Sequence, residues 1–156
     1  MALTPDDELP FEQEDPTPVV APLTALLEVP GCWANLVPEV VEGHDPPPRN
    51  LVASLFSARG DAVPLATITA PSAPGGRRSL GIQHGSGPKA LDRLAEAGLP
   101  LPDRWLKAAD HPRRGLVVTC PGDADVAEVV GWLLTAAGAL STVPLTGSWL
   151  ARLYRP

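Results

Sequence analysis

Apolar residues follow two spacings along this chain, and both are clearest in its last forty residues. A short apolar run at 116–118, rich in β-branched residues and bounded by glycine and proline, predicts a buried strand. Residues 126–140 repeat apolar side chains at helical spacing, and Asp125 before them predicts a helix N-cap. In residues 148–154 a mainly apolar set of side chains alternates with a second set, at the two-residue spacing of a strand. This part of the chain therefore predicts strand, helix and strand in succession.

Shorter apolar runs in the middle of the chain predict further strands. The runs at 51–58 and 62–70 flank a Gly-Asp turn, which predicts a β-hairpin. A third strand is predicted at 79–84. Helices are predicted at 88–97, where a proline opens the first turn, and at 104–109.

Before residue 51 the periodicity is weaker. Residues 24–28 predict one or two helical turns, and residues 32–41 predict a short helix interrupted by Pro38. The order of elements predicts an α+β fold with a mixed sheet of five or six strands and two main helices. We expect a single domain over residues 21–156, preceded by a disordered acidic tail over residues 1–20.

The predicted tail also carries the charge imbalance of the chain. It contains six acidic residues, four prolines and no basic residue, a composition that predicts disorder. The chain has a net charge of −6, and outside the tail acidic and basic residues are equal in number. This balance argues against nucleic-acid binding, which needs a basic face, and against adhesion to an anionic membrane.

Two pairs of residues are candidates for contact with a protein partner. Leu9 and Phe11 form the one apolar spot of the tail, in the run D-D-E-L-P-F. This run resembles the short motifs that bind bacterial sliding clamps, with Asp6 where those motifs have Gln. The resemblance implies docking in a groove of a partner, and the alternative is a solubilising tail. Trp149 and Tyr154 are the second pair, because Trp and Tyr are enriched at interfaces.

Cys120 is the one residue that the sequence offers as a nucleophile. It follows a predicted strand and precedes a predicted helix, where the helix dipole lowers a thiol pKa, and His84 or His111 could act as its base. The alternative is a small buried hydrophobic residue. Cys32 and Cys120 form no disulfide framework, and the histidines and cysteines have no metal-ligand spacing.

A glycine-rich turn at 85–89 lies between a predicted strand and a predicted helix, a place that can bind an anion. Just before it, residues 78–83 match two of three fixed positions of the signature [RQ]-x-x-G-x-[GA], with Gln83 at the third. The order of elements resembles that of the acetyltransferases that bind coenzyme A, and the resemblance implies an acyl-CoA ligand near Lys89. The alternative is an ordinary turn.

We expect a non-catalytic protein-interaction module, such as an adaptor, a regulator or an assembly subunit. The alternatives are an acyl-CoA-binding, acetyltransferase-like domain and a thiol enzyme that uses Cys120. No catalytic residue, cofactor or metal site is predicted. The start lacks the features of a signal peptide, no apolar run reaches membrane-span length, and the composition is typical of a GC-rich genome. We therefore expect a cytoplasmic bacterial protein; homo-oligomerisation through the terminal strand stays open.

Overall fold

The computed structural model describes residues 3–46 and 60–156, which build one sheet and three helices. The sheet has seven strands in the order β1-β7-β2-β3-β4-β6-β5, and every neighbouring pair is antiparallel. The elements in chain order are β1 (Asp7–Glu12), α1 (Thr17–Leu27), β2 (Trp33–Val40), β3 (Leu65–Thr69), β4 (Arg78–Gln83), α2 (Ala90–Glu96), β5 (Leu106–His111), β6 (Gly115–Cys120), α3 (Val126–Leu140) and β7 (Leu145–Tyr154).

The predicted α+β class is confirmed, and the finer description of the sheet is corrected. The sheet is antiparallel throughout and not mixed, and the described residues contain seven strands and three helices. An antiparallel sheet needs only short connections, whereas parallel neighbours need a crossover. The strand predicted at 51–58, and with it the hairpin to the next strand, lies outside the described residues.

The helices cover one face of the sheet and enclose the core. Along β2, β3 and β6, buried and less buried residues alternate, as expected for strands with one packed face. α3 is the central helix of this layer, because it packs against α1, α2 and the middle strands. Nine of its fifteen residues are buried, so it supplies the largest helical share of the core.

The helix predicted at 126–140 is confirmed, together with its start. The Asp125 carboxylate accepts a hydrogen bond from the Glu128 N–H over 3.2 Å and caps the helix. The strands predicted around 79–84, 116–118 and 148–154 correspond to β4, β6 and β7.

The disorder predicted for residues 1–20 is wrong for most of that range. β1 pairs with β7 along its whole length, and Phe11 lies in the core with 5% of its surface exposed. The acidic side chains that predicted solvation pair with the C-terminal part of the chain: Glu8 with Arg152, and Asp7 with Arg155. α1 also begins within this range, at Thr17. Pro18 lies in its first turn, where backbone N–H groups have no partner within the helix, so the missing proline N–H costs no hydrogen bond.

The short helix predicted at 32–41 is a strand, β2. Pro38, which we interpreted as a helix interruption, lies beyond Leu36, the last β2 residue paired with β3. Among the described residues, Pro38 is paired with β7 and not with β3, so the missing proline N–H removes no hydrogen bond between β2 and β3.

The helix predicted at 104–109 is also wrong, because this segment contains β5. A turn closed by the Trp105 N–H and the Pro102 carbonyl precedes the strand, and β5 then pairs with β6. Pairing with the neighbouring strand therefore overrides the helical propensity of the Leu, Lys and Ala residues in this segment.

Candidate partner-binding face

Within residues 3–46 and 60–156, one side of the sheet has no helix packed on it; this side forms a broad surface, which we call the open face. Register places one alternating set of side chains from each strand on it. On the six strands from β1 to β6 in sheet order, these residues are Glu8, Pro10, Glu12, Ser148, Leu150, Arg152, Tyr154, Trp33, Asn35, Val37, Leu65, Thr67, Thr69, Ser79, Gly81, Gln83, Val117 and Thr119.

Three apolar residues lie side by side across one end of the open face. Pro10 is opposite Leu150, and Leu150 is opposite Val37, so the three form a band over β1, β7 and β2. Pro10 is exposed and the other two are half-buried. They line a shallow depression of about 450 Å³ whose rim carries Glu12 and Glu39. We call these three residues the apolar band.

Two aromatic rings lie at the other end of the same strands. Trp33 and Tyr154 are directly opposite in the β2–β7 ladder, and their rings stack with centroids 4.9 Å apart and an angle of 7° between the planes. The stack holds both side chains in fixed positions and contributes about 1 kcal/mol beyond the area that it buries.

Polar groups that bind one another separate the apolar band from the aromatic stack. Arg152 donates to the Glu8 carboxylate over 3.1 Å, and the Thr67 hydroxyl donates to the side-chain amide oxygen of Asn35 over 2.9 Å. Glu8, Glu12 and Arg152 are the charged residues among those that define the open face, and the Arg77 guanidinium reaches the other end of the face by donating to the Thr119 hydroxyl over 2.9 Å. Acidic and basic groups on this surface are therefore about balanced.

The structure separates the four residues that the sequence predicted as partner contacts. Phe11 and Trp149 lie in the core beneath the sheet, with 5% and 3% of their surfaces exposed, and Leu9 is partly buried against the same core. Tyr154 points to the open face, although its stacking on Trp33 leaves little of it exposed. Tyr154 is thus the one of the four that belongs to the open face.

The Cys120 thiol is fully buried at the end of β6. Burial raises its pKa, which the nearby guanidinium groups of Arg78 and Arg77 offset in part, while Glu128 raises it further. Arg78 is opposite Cys120 in the ladder, but its Nη1 donates to the Ala124 carbonyl over 2.7 Å and holds the turn before α3. The environment of Cys120 is that of a protonated core thiol.

The glycine-rich turn before α2 is filled by the side chains of its own neighbourhood. The Asp110 carboxylate accepts hydrogen bonds from the Ala90 and Leu91 N–H groups over 3.2 and 2.9 Å. These N–H groups begin α2, so an anionic ligand would have to displace a carboxylate already bound there.

His84, just before this turn, is fully buried, and Nδ1 of its ring accepts from the Ser86 hydroxyl over 2.8 Å and from the Ser86 N–H over 3.2 Å. Burial lowers the pKa of His84, and Arg93 lowers it further while Asp110 opposes the shift. The ring is therefore neutral and holds the turn.

Within residues 3–46 and 60–156, no cluster of His, Cys, Asp and Glu side chains could hold a metal ion. The helices of the same residues are too short or too polar to cross a membrane. Comparison of the chain with protein-family models, with curated proteins and with solved structures found no match.

Sequence reasoning missed the β2 part of the open face because it assigned β2 to a helix. A usable signal was present: the inward residues Ala34 and Leu36 alternate with Asn35, a polar residue that points outward. An apolar side chain at nearly every position obscured that alternation, since such a run fits a buried helix as well as a strand.

Proposed function

We propose that this protein is a non-catalytic protein-interaction module that binds a partner protein through its open face. The apolar band of Pro10, Leu150 and Val37 is the observation that supports this proposal. An antiparallel sheet with one uncovered face normally carries polar residues there. Adjacent apolar side chains on such a face are typical of an interaction site.

The chemistry of the open face favours a protein over a nucleic acid. Its acidic and basic groups are about equal in number, so it lacks the basic excess that binding of a phosphate backbone needs. Apolar and aromatic groups surrounded by polar ones match the core and rim of a protein–protein interface. The rigid Trp33–Tyr154 stack adds a surface that loses little conformational entropy on binding.

The two enzymatic alternatives have weaker support. A thiol enzyme needs a reachable thiolate, whereas Cys120 is buried with a raised pKa. An acyl-CoA-binding domain needs free donors for the pyrophosphate, whereas the first N–H groups of α2 already bind Asp110.

The test introduces a charge into the apolar band of the full-length protein. Tagged wild-type protein, Leu150→Lys and Val37→Lys are used to recover partners from a lysate of the source organism. Ala139→Lys, on the exposed side of α3, is the matched control because it adds the same charge on the opposite side of the molecule. Thermal melting of all four proteins checks that each is folded.

We expect the wild type and Ala139→Lys to recover the same protein, and both variants of the apolar band to lose it. Burying a lysine side chain in a contact that excludes water weakens binding unless a carboxylate of the partner pairs with it. Equal recovery by all four proteins would place the contact elsewhere. If the folded wild type recovers nothing, the proposal is contradicted.

A further inference from the structure

β5 is an edge strand within residues 3–46 and 60–156, because no strand of these residues pairs with its outer side. Among the described residues it pairs only with β6, and five of its six residues are exposed. Leu106, with 57% of its surface exposed, is one of the few large apolar residues that the protein leaves in solvent. A free edge of this kind offers unpaired backbone groups to another strand.

A β-bulge at Ala108 gives this edge an unusual arrangement of faces. In the ladder with β6, Lys107 is opposite Val118 and Asp110 is opposite Leu116. Val118 and Leu116 point into the core, so both charged side chains lie on the face of the sheet that the helices cover. In a regular strand two residues three positions apart would lie on opposite faces. The bulge therefore brings a cation and an anion to the same face of one short strand.

Two copies of β5 can pair in antiparallel orientation, related by a two-fold axis that passes between Ala108 and Ala109. This register places Lys107 of each copy opposite Asp110 of the other, on the same face, and forms two equivalent ion pairs. Only small alanine side chains meet at the axis. A shift by one residue in either direction separates the charges, so the charge pattern selects a single register.

The two charged groups are free to form this pair. Lys107 makes no hydrogen bond or ion pair within the described parts of the chain. The Asp110 carboxylate accepts from two N–H groups, and a carboxylate has about four acceptor positions. It can therefore cap α2 and bind a lysine at the same time.

The other edge of the sheet lacks this complementarity. β1 carries Asp7, Glu8 and Glu12, and pairing it with its own copy would bring acidic residues together. Pro10 also removes a backbone donor from that edge. Self-pairing is therefore favoured at β5 alone.

We propose that the protein forms a two-fold symmetric dimer in which β5 of one copy pairs with β5 of a second copy and the two sheets become continuous. The contact is short and polar, so the dimer is weak and its population depends on concentration. This contact is separate from the open face, which remains available to a different partner.

The dimer is measured with the full chain by sedimentation over a range of concentrations. Lys107→Glu replaces two attractive pairs by two repulsive ones, and we expect the dimer dissociation constant to rise roughly tenfold or more. Arg155→Glu makes the same change in net charge beside β1, at the other edge of the sheet, and is expected to leave the constant unchanged. High salt should partly restore the Lys107→Glu dimer, because screening weakens the repulsion.

A cysteine next to the axis gives a second test. We expect Ala109→Cys to form an intermolecular disulfide under mild oxidation, since residue 109 then lies close to its own copy. Ala139→Cys on α3 is expected to form none, and the native Cys32 and Cys120 are buried. A wild type that is monomeric at every soluble concentration overturns the proposal. So does a dimer that tolerates Lys107→Glu but is broken by Leu150→Lys.

Discussion

β1 and β5 form the two edges of the same sheet, and the protein holds them in place by different means. β1 inserts Phe11 into the core and forms ion pairs with the C-terminal part of the chain, Glu8 with Arg152 of β7 and Asp7 with Arg155 just after it. β5 contributes no residue to the core. It is held by its ladder with β6 and by two hydrogen bonds that the first N–H groups of α2 donate to the Asp110 carboxylate.

The partners of the two edges also differ in their distance along the chain. The partners of β1 lie more than 130 residues away, whereas β5 and β6 are joined by a short turn. Closing the longer loop costs more chain entropy, so β1 needs core burial to stay in place. An edge strand can therefore be specified by remote packing or by a local hairpin, and the two should respond differently to mutation.

The largest expected effect is the loss of the one core side chain of β1. Phe11→Ala should lower the free energy of unfolding by about 3–5 kcal/mol, because it removes a buried ring and leaves a cavity. Leu106→Ala on β5 should change it by less than about 0.5 kcal/mol, since that side chain is exposed. Chemical denaturation of both variants gives the comparison.

This result also decides between two interpretations of Phe11. A Phe11→Ala protein that keeps its stability but loses a partner would return Phe11 to the docking motif that the sequence predicted. A large loss of stability supports the core role that the structure gives it.

Both edge strands were missed at the level of sequence, and each for its own physical reason. Charges and prolines in β1 predicted solvation because the arginines that neutralise them lie at the other end of the chain. β5 reads as a helix because its exposed residues carry no alternation, as expected for a strand without a packed face. α3 was predicted correctly because its pattern and its Asp125 cap are both local.

The same distinction explains what could be predicted of the candidate site. The alternation in β7 identifies Leu150 and Tyr154 as sharing one face. Their neighbours Val37 and Trp33 are brought beside them by a ladder between residues far apart in sequence. Tyr154 could therefore be proposed from sequence, whereas the apolar band and the aromatic stack required the register.

A smaller effect is expected where β5 supports α2. Asp110→Ala removes the acceptor of two N–H groups at the start of this helix and should cost about 1 kcal/mol of unfolding free energy. Asp92→Ala removes the same charge from the first turn of α2 without removing that cap. It should change the stability by less than about 0.5 kcal/mol. Equal losses in the two variants would mean that charge alone, and not the cap, links β5 to the helix.

The smallest effect is expected from the Glu8–Arg152 ion pair on β1. Both side chains are about half exposed, so water and salt screen their attraction. A double-mutant cycle with Glu8→Ala and Arg152→Ala should give a coupling energy below about 1 kcal/mol, which falls further at high salt. Phe11, and not the visible ion pair, would then hold most of β1. A coupling that persists at high salt would instead show that this edge is held by charge, and the contrast with β5 would lie in electrostatics rather than in core burial.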